Sequence, residues 1–182
     1  MLSRRPTRRT RLLRGLQGCL AALLLLACAA QGNPLANGAV ATAHPLASEV
    51  GRRILEAGGN AFDATVAVSA ALAVVEPYGS GLGGGGFFLL REAGESPHHS
   101  FLDARERAPA AASPDMYLRE GKIQRELSLN GPLAAAIPGT PAALVELAEK
   151  RGRLPLKTTL APAIALARDG FAVDAVYRQR AG

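Results

Sequence analysis

Between Pro45 and Ala57, Leu46, Val50, Ile54 and Leu55 recur on one side, with Glu49, Arg52 and Arg53 off it. That spacing predicts an amphipathic helix, because residues three and four apart share a helix face. Gly58-Gly59 is placed to end it, since glycine accepts the left-handed backbone at a helix end. Asn60 is placed to cap a second helix, with Asp63 in its first turn. From Ala64 to Val75 there is no charge, and alanine and valine dominate. A surface helix would carry a polar stripe, so this one is predicted to be buried on most sides through its small residues. Its roughly fifteen residues before Pro77 are too few to span a bilayer.

A glycine-rich stretch, Tyr78 to Gly86, follows. Phe87-Phe88-Leu89-Leu90 then reads as a buried strand, the polar stretch Arg91 to His98 as a hairpin connection, and Ser100 to Arg105 as the partner strand. Residues 108–139 are rich in proline, alanine and glycine and read as irregular. Thr140-Pro141 marks a helix start, with the hydroxyl as cap and proline at the first helical position. Leu144, Val145, Leu147 and Ala148 form its inner face, and Gly152 ends it. A last helix runs from about Leu156 to Asp169, reset at Pro162 and stopped by Gly170. The order helix, helix, strand, strand, helix, helix predicts an α+β arrangement around an antiparallel hairpin, not alternating βαβ units. Two strands cannot cover this much apolar helix and a lone hairpin has open edges, so the pattern predicts that a partner segment is missing.

Charge changes the picture only at the N-terminus. The 182 residues carry a net charge of +6, which raises nucleic-acid binding. Six arginines (Arg4, Arg5, Arg8, Arg9, Arg11, Arg14) account for it; past Arg14 the chain has 15 basic and 15 acidic side chains. A neutral body with no tryptophan offers no phosphate-binding stripe, so no nucleic-acid partner is expected. Residues 1–30 read instead as an export signal: a basic start, an apolar segment strongest at 20–27, then small residues for cleavage. Leu25-Leu26-Ala27-Cys28 resembles a bacterial lipobox, in which Cys28 would be lipidated. The plainer reading is an ordinary signal peptide with an incidental cysteine. Thr7-Arg8-Arg9 faintly resembles a twin-arginine signal, though an arginine-rich start produces such pairs easily. Residues 31–40 read as a linker, and 41–182 as the body. Cys19 and Cys28 both precede that body, which therefore has no disulfide and no thiolate for catalysis or metal binding.

Candidate chemistry in the body is sparse. A phosphate loop needs a strand before it, a helix after it and a nearby lysine; the glycine run has the reverse order and no lysine. Its glycines fit a close backbone approach or positive φ. Ser80 lacks the flanking glycines of a hydrolase elbow, since Tyr78 and Leu82 stand in their places. His98 and His99 are adjacent in an expected exposed turn, and His44 before Pro45 suits a structural role at a helix start. No metal site emerges. The densest segment is Leu102-Asp103-Ala104-Arg105-Glu106-Arg107-Ala108-Pro109. Strand alternation would put Asp103, Arg105 and Arg107 on one face, where a guanidinium could hold a carboxylate through two parallel hydrogen bonds. From the residues alone, a surface salt-bridge patch is the more ordinary reading.

Four stretches together resemble the γ-glutamyltranspeptidase (glutathione hydrolase) family. They are ATAHPLASEVGRRILEAGGNAFDATVAVSAALAVVEPYGSGLGGGGFFLL (41–90), LDARERAPAAASPDMYL (102–118), AAIPGTPAALVEL (135–147) and GRLPLKTTLAPAIALARDGFAV (152–173). The resemblance covers nearly all of residues 39–176. It implies an exported N-terminal-nucleophile hydrolase with a four-layer αββα sandwich, of which only the N-terminal part is present here. It also implies a precursor that cuts itself into a large and a small subunit, exposing a threonine at the small subunit's new N-terminus. That threonine attacks γ-glutamyl amides such as glutathione, with its own α-amine as base. Backbone amides hold the oxyanion. Water or an acceptor amino acid or peptide resolves the acyl-enzyme, and no cofactor takes part.

Residue by residue, one functional position carries over. The arginine of the Asp-x-Arg-Glu-x-Ala-Pro motif, which holds the α-carboxylate of the γ-glutamyl group, is Arg105; Asp103 and Glu106 match as supporting neighbours. Arg107 occupies a position with no role implied by the resemblance. The threonine nucleophile has no counterpart: Thr158-Thr159 belongs to a helix-region match and lacks the cleavage-site context. The chain thus resembles the incomplete N-terminal portion of a large subunit, inactive alone, whose small subunit from the same precursor is missing. The expected location is the bacterial periplasm or outside the cell, with Cys28 as a candidate lipid anchor. Related members acting on poly-γ-glutamate or β-lactam side chains stay open, as does an exported non-catalytic remnant or binding protein. Exposed apolar surface and aggregation are expected if the chain is expressed alone.

Overall fold

The computed structural model describes residues 38–181. Residues 1–30, with Cys19 and Cys28, and most of the 31–40 linker lie outside the described residues. The body, Ala39 onward, forms one compact unit.

Helix α1 is Pro45–Glu56. His44 caps it: its Nδ1 accepts the Leu46 backbone N–H at 3.1 Å. The structural reading of His44 therefore holds, and the ring is buried with Nε2 3.8 Å from Asp174 Oδ2. The helix ends in a Schellman turn. Gly58, at φ +90°, donates to Leu55 O, and Gly59 donates to Ile54 O. Helix α2, Ala61–Val75, opens with a reciprocal capping box. Asn60 Oδ1 accepts the Phe62 and Asp63 N–H groups, and Asp63 Oδ2 accepts the Asn60 N–H at 2.8 Å.

As its uncharged sequence predicts, α2 is the central element. One side packs on α1 and on α4 (Leu156–Asp169), through Ala64, Ala67, Ala70, Ala71 and Val75. The other side places Val66 against Leu90 and against Leu144, Leu147 and Ala148 of α3, Thr140–Arg151. Fully buried Asp63 ties α2 to the α3–α4 connection. Its carboxylate accepts the Arg153 N–H (3.0 Å to Oδ2) and the Leu154 N–H (3.3 Å to Oδ1). Asn60 Nδ2 donates to Arg151 O in the same knot.

Strands β1 (Gly86–Glu92) and β2 (His98–Ala104) form an antiparallel hairpin in register from Gly86 opposite Ala104 to Glu92 opposite His98. The expectation of a strand buried throughout is corrected. Phe88, Leu90 and Leu102 face the helices, while Phe87, Leu89 and Phe101 are 59, 80 and 63% exposed on the opposite face. His98 and His99 stand in β2 rather than in the turn, and both are exposed. Within 108–139 lie a short hairpin, β3 (Leu118–Arg119) with β4 (Lys122–Ile123), and two 3-10 turns. Helix α4 runs unbroken through Pro162 to Gly170. A short α5, Ala175–Ala181, which the hydrophobic pattern does not announce, is capped where Asp174 Oδ1 accepts the Tyr177 N–H. Its Tyr177 packs edge-on against Tyr78 and Phe171. No helix among the described residues is long and apolar enough to cross a membrane.

Candidate active site

The glycine run ends at the site's edge, and its last members act by close approach. No glycine from Gly79 to Gly86 has positive φ. A Cβ on Gly85 would sit 2.5 Å from Ala104 O, 2.7 Å from Glu106 N and 2.8 Å from Arg105 Cα. From the other side, a Cβ on Gly139 would overlap Ala104 O and sit 2.8 Å from Arg105 O. Two glycines thus grip the backbone at the end of β2, where no side chain fits between the chains.

Gly84 locks this grip. Its carbonyl accepts the Gly139 N–H (3.1 Å), the Thr140 N–H (3.2 Å) and the Thr140 hydroxyl (3.1 Å). The Thr140 hydroxyl therefore does not cap α3, as the sequence suggested. Gly139 is the cap residue and makes no side-chain cap bond. Val145 likewise leaves the inner face of α3, being 37% exposed, and Ala143 joins it. Three residues beyond β2, Arg107 exchanges backbone hydrogen bonds with Ile137 at 3.1 and 2.8 Å. Residues 104–107 are held by glycines on both sides and by this bridge.

Arg105 follows the last residue of β2 rather than lying within it. Its side chain is 59% exposed. Its backbone N–H donates to Asp103 Oδ1 at 3.0 Å, and Nη1 is 3.1 Å from Glu106 Oε2. That contact has ion-pair distance but not hydrogen-bond alignment, so the buried Glu106 Oε2 has no hydrogen-bond partner among the described residues. Arg105 Cζ lies 6.0 Å from the centre of the Phe87 ring, itself stacked on Phe101. Asp103, Arg105 and Arg107 do share a wall. All three line a cavity of about 330 Å³ against Gly139 and Glu146. Arg105, Glu106 and Arg107 line a second, half-open cavity of about 560 Å³, together with Met116, Tyr117 and Ala134. Both volumes fall in the range of small-molecule sites.

The remaining candidates are not gathered here. The Ser80 hydroxyl donates to Glu76 Oε2 at 3.0 Å. Thr158 and Thr159 sit in the first turns of α4, and the buried Thr159 hydroxyl donates to Leu156 O. No cluster of three or more potential metal ligands occurs among the described residues. Sequence reasoning missed Gly84, Gly139 and Thr140. Their signals, the glycine run at 83–86 read for close backbone approach and the single Gly139 before a Thr-Pro helix start, are silent about which backbone they meet.

A helical layer on one face of an antiparallel hairpin, with a polar wall at the hairpin's end, matches the N-terminal-nucleophile hydrolase fold of solved γ-glutamyltranspeptidases. Against the Helicobacter pylori γ-glutamyltranspeptidase crystal structure the TM-score is 0.74 at 41% identity, covering 78% of this chain and 40% of that one. Against the Pseudomonas nitroreducens γ-glutamyltranspeptidase complexed with L-DON it is 0.73 at 44% identity, covering 80% and 43%. The sequence profile described as Gamma-glutamyltranspeptidase matches residues 47–181, and the chain belongs to that family. The Glutathione hydrolase proenzyme of Bacillus subtilis (strain 168) is 47% identical over 145 residues, 79% of this chain and 24% of the relative. The chain thus spans about a quarter of the length of such curated relatives.

Proposed function

We propose that this chain forms the carboxylate-binding wall of a glutathione hydrolase, which cleaves γ-glutamyl amides and passes the γ-glutamyl group to water, an amino acid or a peptide. The observation that carries this reading is Arg105. Its backbone is gripped by Gly85 and Gly139, while its guanidinium is open at the junction of two cavities. A fixed stem with a mostly exposed guanidinium, paired only along one edge with Glu106, suits paired hydrogen bonds to the α-carboxylate of a γ-glutamyl group. Family membership and the names of the relatives support the substrate class.

The chemistry follows from an N-terminal threonine, which we assign to a small subunit outside these 182 residues. Its Oγ adds to the γ-carbonyl carbon while its α-amine takes the hydroxyl proton. The C–N bond breaks and the amine leaves with that proton. Water or an acceptor amine then adds to the ester and returns the threonine. Arg105 keeps the γ-glutamyl end in place through both halves. In the same reading residues 1–30 are the export signal, 31–40 the linker and 41–182 part of the large subunit. The site then faces the periplasm or the exterior, with Cys28 as a candidate lipid anchor and simple signal cleavage as the alternative.

In the enzyme carrying both subunits, Arg105→Lys is expected to raise KM for γ-glutamyl substrates by roughly 10- to 100-fold, the scale of charge-assisted hydrogen bonds. A point charge cannot reproduce the guanidinium's paired donors. Steady-state kinetics read this directly, and unchanged KM and kcat would remove Arg105 from the site.

A further inference from the structure

We propose that Arg107 selects γ-glutamyl compounds whose leaving half carries a free carboxylate of its own. The inference rests on the reading of Arg105 above and adds a second point of recognition to that site. Arg105 and Arg107 line both cavities at the end of β2. In an extended segment, residues two apart share a side at about 6–7 Å between Cα atoms. Two guanidinium groups that front the same two cavities suit a ligand with two separated anions better than a single carboxylate.

The acids around Arg107 are already engaged. Glu106 lies beside Arg105 at 3.1 Å, and Asp103 Oδ1 accepts the Arg105 N–H. Glu146 lies 2.9 Å from Lys150 Nζ and 3.9 Å from Arg151 Nη1. Among the described residues none of these carboxylates is within 4.0 Å of the Arg107 guanidinium, although all three line cavities that it lines. Its backbone is nonetheless pinned by both hydrogen bonds to Ile137. A fixed stem with a guanidinium open to the cavities is what Arg105 offers to the first carboxylate, with Glu106 as its one acidic neighbour within 4.0 Å among the described residues. Arg107 repeats that arrangement one step further along the larger cavity, where Ala108, Ala112 and Ala134 leave room for a second residue of substrate.

The test compares γ-glutamylglycine with γ-glutamylglycinamide in the enzyme carrying both subunits, as the ratio of their kcat/KM values. The free acid is expected to be preferred by roughly tenfold, the scale of one charge-assisted contact in a half-open site. Arg107→Gln should bring the ratio close to one, and Arg107→Lys should retain most of it. Arg105→Gln should lower both substrates together and leave the ratio standing. A ratio unmoved by Arg107→Gln, with Arg105→Gln still damaging both substrates, overturns the role of Arg107 and leaves the γ-glutamyl reading intact. Full kcat/KM on both substrates after Arg105→Gln overturns that reading, and this inference with it. If Arg107→Gln does not fold, Arg107→Met supplies the same comparison with the stem kept and the charge removed.

Discussion

The helical end and the hairpin end of the body use polar groups in opposite ways. At the helical end Asp63 is fully buried, and its oxygens are taken by the N–H groups of Asn60, Arg153 and Leu154. At the hairpin end the backbone is gripped as firmly, but Arg105 and Arg107 keep their charged ends in the open. The same contrast divides adjacent residues of β1. Leu90 is 6% exposed in the helical core, and Leu89, on the other face, is 80% exposed. One end of the fold spends its side chains on itself; the other fixes only its main chain and leaves the side chains for a ligand or a covering layer.

The largest test of that contrast is Asp63→Ala. It strands three backbone donors at the junction of α2 with the α3–α4 connection and leaves a small void. Unsatisfied donors cost about 1–3 kcal/mol each when buried and less where water reaches them, as at exposed Arg153, so a loss of about 3 kcal/mol is expected in urea unfolding. A loss under about 1 kcal/mol would mean that Asp63 is no organiser of the helical end. Arg105→Ala, by contrast, should leave the unfolding midpoint nearly unchanged, because its side chain is mostly in solvent.

Much of the helical end was legible because its determinants are local. The charge-free run of α2, the Asn60–Asp63 spacing and the Gly58-Gly59 stop are all read within a few residues. What escaped was long-range or one-sided. The Thr140 hydroxyl looks like a cap until Gly84, 56 residues away in sequence, takes it. Phe87-Phe88-Leu89-Leu90 reads as buried because four apolar residues hide the period of two. Only the structure shows that the cover lies on one face among the described residues. The seven-residue α5 is too short to show a pattern, although Asp174 was its signal. For the site, the residues alone favoured a surface salt-bridge patch, and the exposed Arg105–Glu106 contact is partly that. The family resemblance singled out Arg105, and the glycine grip gives it a physical setting.

The middle-sized effect belongs to the hairpin end. In Gly139→Ala the new methyl would overlap Ala104 O and lie 2.6 Å from Ala104 C, against backbone that cannot swing aside. Relief requires β2 to part from the start of α3, at about 1–3 kcal/mol. The movement displaces Arg105, so under the function proposed above KM for γ-glutamyl substrates, measured in the enzyme carrying both subunits, should rise along with the drop in urea midpoint. Asp63→Ala should lower the midpoint further while sparing KM in the molecules that stay folded. Equal KM effects from the two substitutions would erase the division between a self-satisfied end and a ligand-facing end.

The smallest effect sets Glu49 beside Asp63, two carboxylates with opposite surroundings. Glu49 stands on the outer side of α1 and accepts from Arg52 (Nε at 2.6 Å, Nη2 at 2.7 Å) and Arg53 (Nε at 2.8 Å). The hydrogen bonds from Arg52, then those from Arg53, hold its carboxyl down at about 2. A carboxyl lowered in the folded state adds stability that is present above its unfolded pKa of about 4.3 and is lost as pH falls through about 2. Glu49→Gln should therefore lower Tm slightly at pH 7 and converge with the unsubstituted protein near pH 2. Solvent screens these donors, so the difference at pH 7 should also fade in 1 M salt. The Asp63→Ala deficit should survive the same salt, because the carboxylate is fully buried and its partners are backbone N–H groups, not exposed charges. A Glu49 effect that resists salt would place this surface cluster with the interior knot.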